Sequence, residues 1–277
     1  MPSQNSLGTA SSLGAPLGSP PASVNEGALH RAGSWLRWLT LVPTLPIVAV
    51  QAKRARRLIP RLPDATGAVE GTCHATSASA PALNLLVLGE STVSGVGAST
   101  HELGLAGGIA RALAAATERN VRWFACGKNG ATVANVRDML LPNIDGRPID
   151  AAVLCIGAND AFRMTSLQHW RQGLSDVNRG LLERGCKRVF ISQVPPVGQF
   201  PALPPLTRLV VGARMRLLGG ELPRLARQDD RLVYCPIAFP IGQTCSDGIH
   251  PSESGYAEWG RQLAAHIAGV CAPRGEL

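Results

Sequence analysis

The chain has 277 residues, 45% of them hydrophobic, and a formal net charge of +8. That length supports one good-sized domain with an appendage. Aromatic residues make up only 4% and no basic stripe is interleaved with them, which argues against a nucleic-acid interface. Residues 1–82 hold seven Lys/Arg against three Asp/Glu, so half of the charge excess lies ahead of the region that carries the chemistry.

In chain order, residues 1–29 are rich in Ser, Gly, Pro and Ala without hydrophobic periodicity, and their composition predicts a disordered tail. Trp35–Val50 is apolar but short for a spanning helix, contains Arg37, Pro43 and Pro46, and runs directly into the basic stretch QAKRARR. Three readings compete for it. One is a membrane-surface anchor with Trp at the headgroups. Another is a segment packed on the domain, and the third is an atypical export signal. The first two rank equal and export lower, so a cytoplasmic or membrane-associated location is expected before a secreted one. The chain divides at this level into residues 1–82 and a domain over 83–277.

From Leu83 the texture changes. Short apolar runs at Leu85–Leu88, Val121–Cys126, Ala151–Ile156, Arg188–Ser192 and Arg231–Cys235 predict five buried strands. Helical patterns lie between them. Ser99-x-x-Glu102 reads as a capping box ahead of Leu105, Ile109 and Leu113. Val133, Val136 and Leu140 form a second stripe, Leu206–Leu225 a longer helical region, and Tyr256, Trp259, Leu263 and Ile267 a C-terminal helix. The alternation predicts an α/β fold with a central, mainly parallel five-stranded sheet covered on both faces. The seven cysteines (Cys73, Cys126, Cys155, Cys186, Cys235, Cys245 and Cys271) are irregularly spaced with no C-x-x-C pair. They are expected as free thiols that pack as small hydrophobes, with a Cys235–Cys245 bridge as the open alternative.

In an open parallel sheet, sites form beyond the carboxyl ends of the strands. Those positions carry Gly89-Glu90-Ser91, Gly127-Lys128-Asn129-Gly130, Gly157-Ala158-Asn159-Asp160 and, after a loop, Asp247-Gly248-Ile249-His250. Together they offer the parts that acyl transfer requires. Ser91 is the candidate nucleophile, which needs a base to take its proton. His250 is the candidate base, and Asp247, three residues earlier, can hold its ring in the working tautomer. The N–H groups of Ser91 and Gly130 and the side-chain NH2 of Asn159 are candidate oxyanion donors. Ser91 alone would read as a helix cap and Asn159-Asp160 alone as a turn pair; the whole set outweighs those readings. Asp160 reads as structural.

These four ordered segments resemble the blocks of the SGNH hydrolase superfamily, also called GDSL-like lipases and esterases. The likeness spans about residues 83–270. It implies a flavodoxin-like three-layer α/β/α sandwich and an ester hydrolase in which Ser91 attacks, Gly130 and Asn159 serve the oxyanion, and Asp247 and His250 complete the triad. Two positions depart from the usual block, with Glu90 in place of Asp and Thr92 in place of Leu. No cofactor and no metal is expected, and the expected partner is a small ester, with a lipid ester among the candidates. Transfer of the acyl group to an acceptor alcohol, thioester hydrolysis, and a non-catalytic binding protein on the same scaffold are the alternative readings. No G-x-S-x-G elbow, dinucleotide loop or phosphate loop is present.

Overall fold

The computed structural model describes residues 24–77, 80–239 and 242–271. Helices α1 (Val24–Leu41) and α2 (Leu45–Leu58) are joined by a 3-10 turn at Val42–Thr44 and precede strand β1 (Glu70–Cys73). Then follow β2 (Ala80–Gly89), α3 (Leu105–Thr117), β3 (Arg119–Gly127), and α4 (Val133–Asn135), which continues as π and 3-10 turns to Asn143. The rest is β4 (Ala151–Cys155), α5 (Ala158–Phe162), α6 (Leu167–Glu183), β5 (Arg188–Ser192), α7 (Pro205–Gly219), α8 (Leu222–Ala226), β6 (Leu232–Cys235) and α9 (Glu253–Cys271).

The strands form one sheet in the order β1-β3-β2-β4-β5-β6, parallel except for β1. All five expected strands are present, but the sheet has six. The additional strand, β1, pairs antiparallel with β3 at the edge. Its sequence EGTC is short and polar, and its side chains are only half-covered, so it carries no hydrophobic run. The sheet therefore reaches back beyond residue 83.

Side chains alternate between two cores, as the pleat dictates. Leu85 and Val87 face α3 and α9, where Leu105, Ile109, Leu113, Tyr256, Trp259, Leu263 and Ile267 are buried. Leu86 and Leu88 face the other layer, where Trp170, Leu174 and Val177 of α6 and Val210 and Leu218 of α7 are buried. This is the expected three-layer α/β/α sandwich. The chain leaves β2 for β3 on one side and returns to β4 on the other, and that reversal opens a crevice at the carboxyl ends of β2 and β4.

Several local expectations need correction. Ser99 does not cap α3 with Glu102; its N–H and hydroxyl both bond Glu253 Oε1, at 2.9 and 2.7 Å. The helix itself begins after Gly104 with no side-chain cap. A long-range partner thus displaced a local pattern. The Leu206–Leu225 region is two helices, broken at Gly219-Gly220 ahead of Pro223. All seven cysteines are free, so Cys235 and Cys245 are not bridged. Of the expected tail, residues 1–23 lie outside the described residues, and 24–29 belong to α1. The Trp35–Val50 segment packs on the domain through Trp38 and Val48 while much of its apolar surface stays exposed.

α9 does more than cover the sheet. The buried Tyr256 hydroxyl donates to the Val96 carbonyl at 2.6 Å, which fastens the helix to the loop after β2. Tyr256→Phe strands that carbonyl without a partner, at a cost of about 1–3 kcal/mol. The expected outcome is a lower urea midpoint at unchanged m-value.

Candidate active site

The site begins where β2 ends. A Cβ on Gly89 would lie 2.0 Å from the Cys155 carbonyl oxygen, so only glycine lets β2 and β4 approach this closely. The Glu90 N–H then donates to that same carbonyl at 3.1 Å, and the chain turns so that Val93 and Ser94 donate back to the Glu90 carbonyl. Ser91 sits at the head of this turn, nearly buried.

His250 arrives from a loop folded into a short hairpin. Cys245 N–H donates to the His250 carbonyl and Ser252 N–H to the Gln243 carbonyl, each at 2.8 Å, with Thr244 bridged to Pro251. Within it, Asp247 Oδ1 accepts the N–H groups of Ile249 and His250, both at 3.0 Å. That leaves Oδ2 free to meet His250 Nδ1 at 2.5 Å. The other ring nitrogen, Nε2, lies 2.9 Å from Ser91 Oγ. Burial alone would push the Asp247 carboxyl up, but hydrogen bonds from the His250 ring and the two backbone N–H groups outweigh it. They hold the carboxyl below the ordinary carboxylate range, so Asp247 is ionised wherever the ring needs a counter-charge.

The loop after β2 and the hairpin are clasped together. Cys245 Sγ reaches the Gly97 carbonyl at 3.2 Å and the Pro251 carbonyl at 3.3 Å. A Cβ on Gly97, at φ +97°, would lie 2.6 Å from the Pro251 oxygen. The Tyr256–Val96 and Ser99–Glu253 bonds close the same seam.

The remaining expected residues follow the carboxyl ends of the two strands that flank β2, Gly130 after β3 and Asn159 after β4. Gly130 has φ +78° and open space where a Cβ would be. Its carbonyl takes an Arg163 N–H at 3.4 Å. Asn159 lies in the first turn of α5. Asp160 is fully buried, and its Oδ2 accepts the Val133 N–H at 2.9 Å. It thereby ties the start of α4, just beyond Gly130, to the turn that carries Asn159; burial pushes its carboxyl up. This agrees with the structural reading of Asp160.

Glu90 is the residue whose part the sequence left undefined. Its buried carboxylate caps α5: Oε1 accepts the Ala158 N–H and Oε2 the Asn159 N–H, both at 3.1 Å. Oε2 also accepts Asn159 Nδ2–H at 2.7 Å. One proton of the Asn159 amide is thus held by Glu90, which fixes the plane of the group and leaves the second N–H to point elsewhere. The only sequence signal was the departure from Asp at this position. Burial pushes the Glu90 carboxyl up to about 7 against the pull of those three N–H groups, with Asp160 adding to the rise.

Beside Ser91 and His250 opens a cavity of about 60 Å³ whose apolar walls include Phe200, Phe239, Ile249 and Trp259. Phe239 and Trp259 meet edge to face, with ring centroids 4.9 Å apart, and the Trp259 Nε1–H is held by Ser192 Oγ at 3.1 Å.

Comparison with known proteins agrees with this architecture. Residues 87–258 match the GDSL-like Lipase/Acylhydrolase family. The chain belongs to that family and is a hydrolase of ester bonds. It is 29% identical over 228 residues to a GDSL-like esterase of Mycobacterium tuberculosis, covering 75% of this chain and 71% of that one. Among solved structures, a lipolytic protein of the G-D-S-L family from Desulfitobacterium hafniense superposes with a TM-score of 0.51 at 11% identity, over 66% of this chain and 98% of that one. Est24, a carbohydrate acetylesterase from Sinorhizobium meliloti, gives 0.51 at 16% identity, over 68% and 99%. At these identities the two structures speak for the fold.

The raised value at Glu90 has a thermodynamic consequence. As pH falls from about 7 toward the ordinary 4.5, the folded protein takes up a proton that the unfolded chain does not. The Glu90 contribution to stability therefore grows as pH falls through that window and is lost as pH rises through it. Melting temperatures measured between pH 5 and 8 are expected to show a shallower dependence in Glu90→Gln than in the wild type.

Proposed function

We propose that the protein hydrolyses carboxylic esters of short acyl groups through an acyl-serine intermediate. The observation that carries this reading is the continuous contact chain from Asp247 through His250 to Ser91, ending at an apolar cavity. Ser91 Oγ attacks the ester carbonyl as its proton passes to His250 Nε2. Asp247 keeps the opposite ring nitrogen protonated and steadies the imidazolium that forms. The carbonyl oxygen gains the negative charge, which the N–H groups of Ser91 and Gly130 and the free N–H of Asn159 accept. The tetrahedral species collapses, His250 gives its proton to the departing alkoxide, and an alcohol leaves. Water then repeats the sequence: His250 takes its proton, the hydroxide attacks the acyl-serine, and the acid departs as Ser91 recovers its proton.

The size of the cavity supports the choice of acyl group. At about 60 Å³ it is far smaller than the roughly 300–1,000 Å³ of pockets that enclose drug-sized ligands. Its aromatic walls are held by the Trp259–Ser192 bond and the Phe239–Trp259 contact, so a long chain has no room without moving them.

Purified Ser91→Ala is expected to lose on the order of 10⁴-fold or more in ester turnover, and Asn159→Ala about 10²–10³-fold in kcat. Full turnover by Ser91→Ala would refute the mechanism. Across a panel of p-nitrophenyl esters, kcat/KM is expected to fall steeply beyond the shortest acyl chains. Phe239→Ala is expected to move that fall to longer ones. A flat profile would remove the acyl assignment and leave the nucleophile intact.

A further inference from the structure

The N-terminal helices carry an apolar surface that the ester site does not use. Trp38, Val48 and Ala55 turn inward and are buried. The Arg214 guanidinium lies over the Trp38 ring, 5.2 Å from its centroid. Thr207 Oγ1 donates to Gln51 Oε1 at 3.0 Å. Both partners belong to α7, so α1 and α2 are strapped along that helix. Trp35, Leu36, Leu39, Val42, Ile47 and Val50 remain exposed, Leu36 by 67%. Soluble monomers rarely expose so many large apolar side chains together. Three and four residues beyond Val50, on the same helical face, come Lys53 and Arg54, followed by Arg57, all exposed.

Charge complementarity says what covers this face. The apolar stretch runs into three exposed cations, and the neighbouring groove between residues 193–199 and α7, with Arg37 of α1 at its side, carries Arg37, Arg208 and Arg216 and no carboxylate among its described lining residues. A partner that is apolar inside and anionic at its rim meets both requirements.

Ala32–Ala55 is long and apolar enough to cross a membrane. Its contacts argue for lying flat. They run along its length, from Trp38 through Leu41, Leu45 and Val48 to Gln51 and Ala55, so an upright helix would either lose them or pull α7, with the buried Arg214, into hydrocarbon. The 3-10 turn at Val42–Thr44, with Pro43 inside it and Pro46 just after, also interrupts a straight span.

We propose that α1 and α2 form an interfacial anchor for a bilayer containing anionic lipid. Trp35, Leu36, Leu39, Ile47 and Val50 enter the acyl boundary, and Lys53, Arg54 and Arg57 meet the phosphates. Pro195 lines both the arginine groove and the Ser91 cavity, so those two openings are neighbours. Docking is independent of the acyl-serine mechanism, and the Ser91→Ala protein is expected to bind as the wild type does.

The test is sedimentation of the full chain with vesicles of phosphatidylcholine, with and without phosphatidylglycerol. Binding is expected with the anionic vesicles and far less with the neutral ones. The triple variant Lys53→Gln, Arg54→Gln, Arg57→Gln is expected to weaken it on the order of a hundredfold. The quadruple variant Leu36→Ser, Leu39→Ser, Ile47→Ser, Val50→Ser is expected to abolish it. Both variants should turn over a water-soluble ester at the wild-type rate, which shows that the fold is intact. Alkaline carbonate should release the wild type from membranes. Equal recovery with and without anionic vesicles would overturn the proposal. Retention through the carbonate wash would do so in favour of a spanning helix. A dimer in the ultracentrifuge, lost in the quadruple variant and indifferent to vesicles, would do so in favour of a second copy of the chain.

Discussion

Ser91 and His250 are 159 residues apart, and their 2.9 Å contact exists only because two loops are clasped to each other. The clasp is built from the carbonyls of Val96 and Gly97, which accept from Tyr256 and Cys245, and from Ser99, which donates to Glu253. At Gly97 no side chain could stand between the loop and Pro251. Tyr256, a fully buried residue of α9, anchors the arrangement in the core that α3 and α9 share. Geometry fixed in this way is available before the substrate arrives, which is what preorganised catalysis requires.

The other half of the crevice depends on two buried acids. Asp160 ties the start of α4 to α5, and Glu90 caps α5 while it orients the Asn159 amide. A carboxylate in such a place is costly, and burial accordingly pushes the Glu90 carboxyl up to about 7. In the proposed mechanism the return is a donor that does not have to reorient as charge develops on the substrate oxygen. Glu is one methylene longer than the Asp usual in the family, and here its two oxygens span two successive backbone N–H groups and the Asn159 side chain.

The N-terminal helices present two different faces. Trp38 and Val48 pack against the domain, and the residues between them present an apolar face outward. Packing accounts for one face of these helices; the surface association proposed above concerns the opposite face, so the two readings do not conflict.

By itself the sequence determined the layer order and the five hydrophobic strands, and it marked Ser91, Gly130, Asn159, Asp247 and His250 as candidate positions. Buried strands must be apolar, and their carboxyl ends must carry the polar groups of a site in this topology. Edge strand β1 was illegible because its residues bury too little to leave a hydrophobic pattern. The Ser99 pairing was misread because a local capping motif and a long-range acceptor look the same until Glu253 is brought alongside. Only the tertiary structure decided which oxygen of Asp247 faces the imidazole, that Glu90 holds Asn159, and how small the cavity beside Ser91 is. Each of these depends on distances between segments far apart in the chain, and one-dimensional spacing carries no record of them.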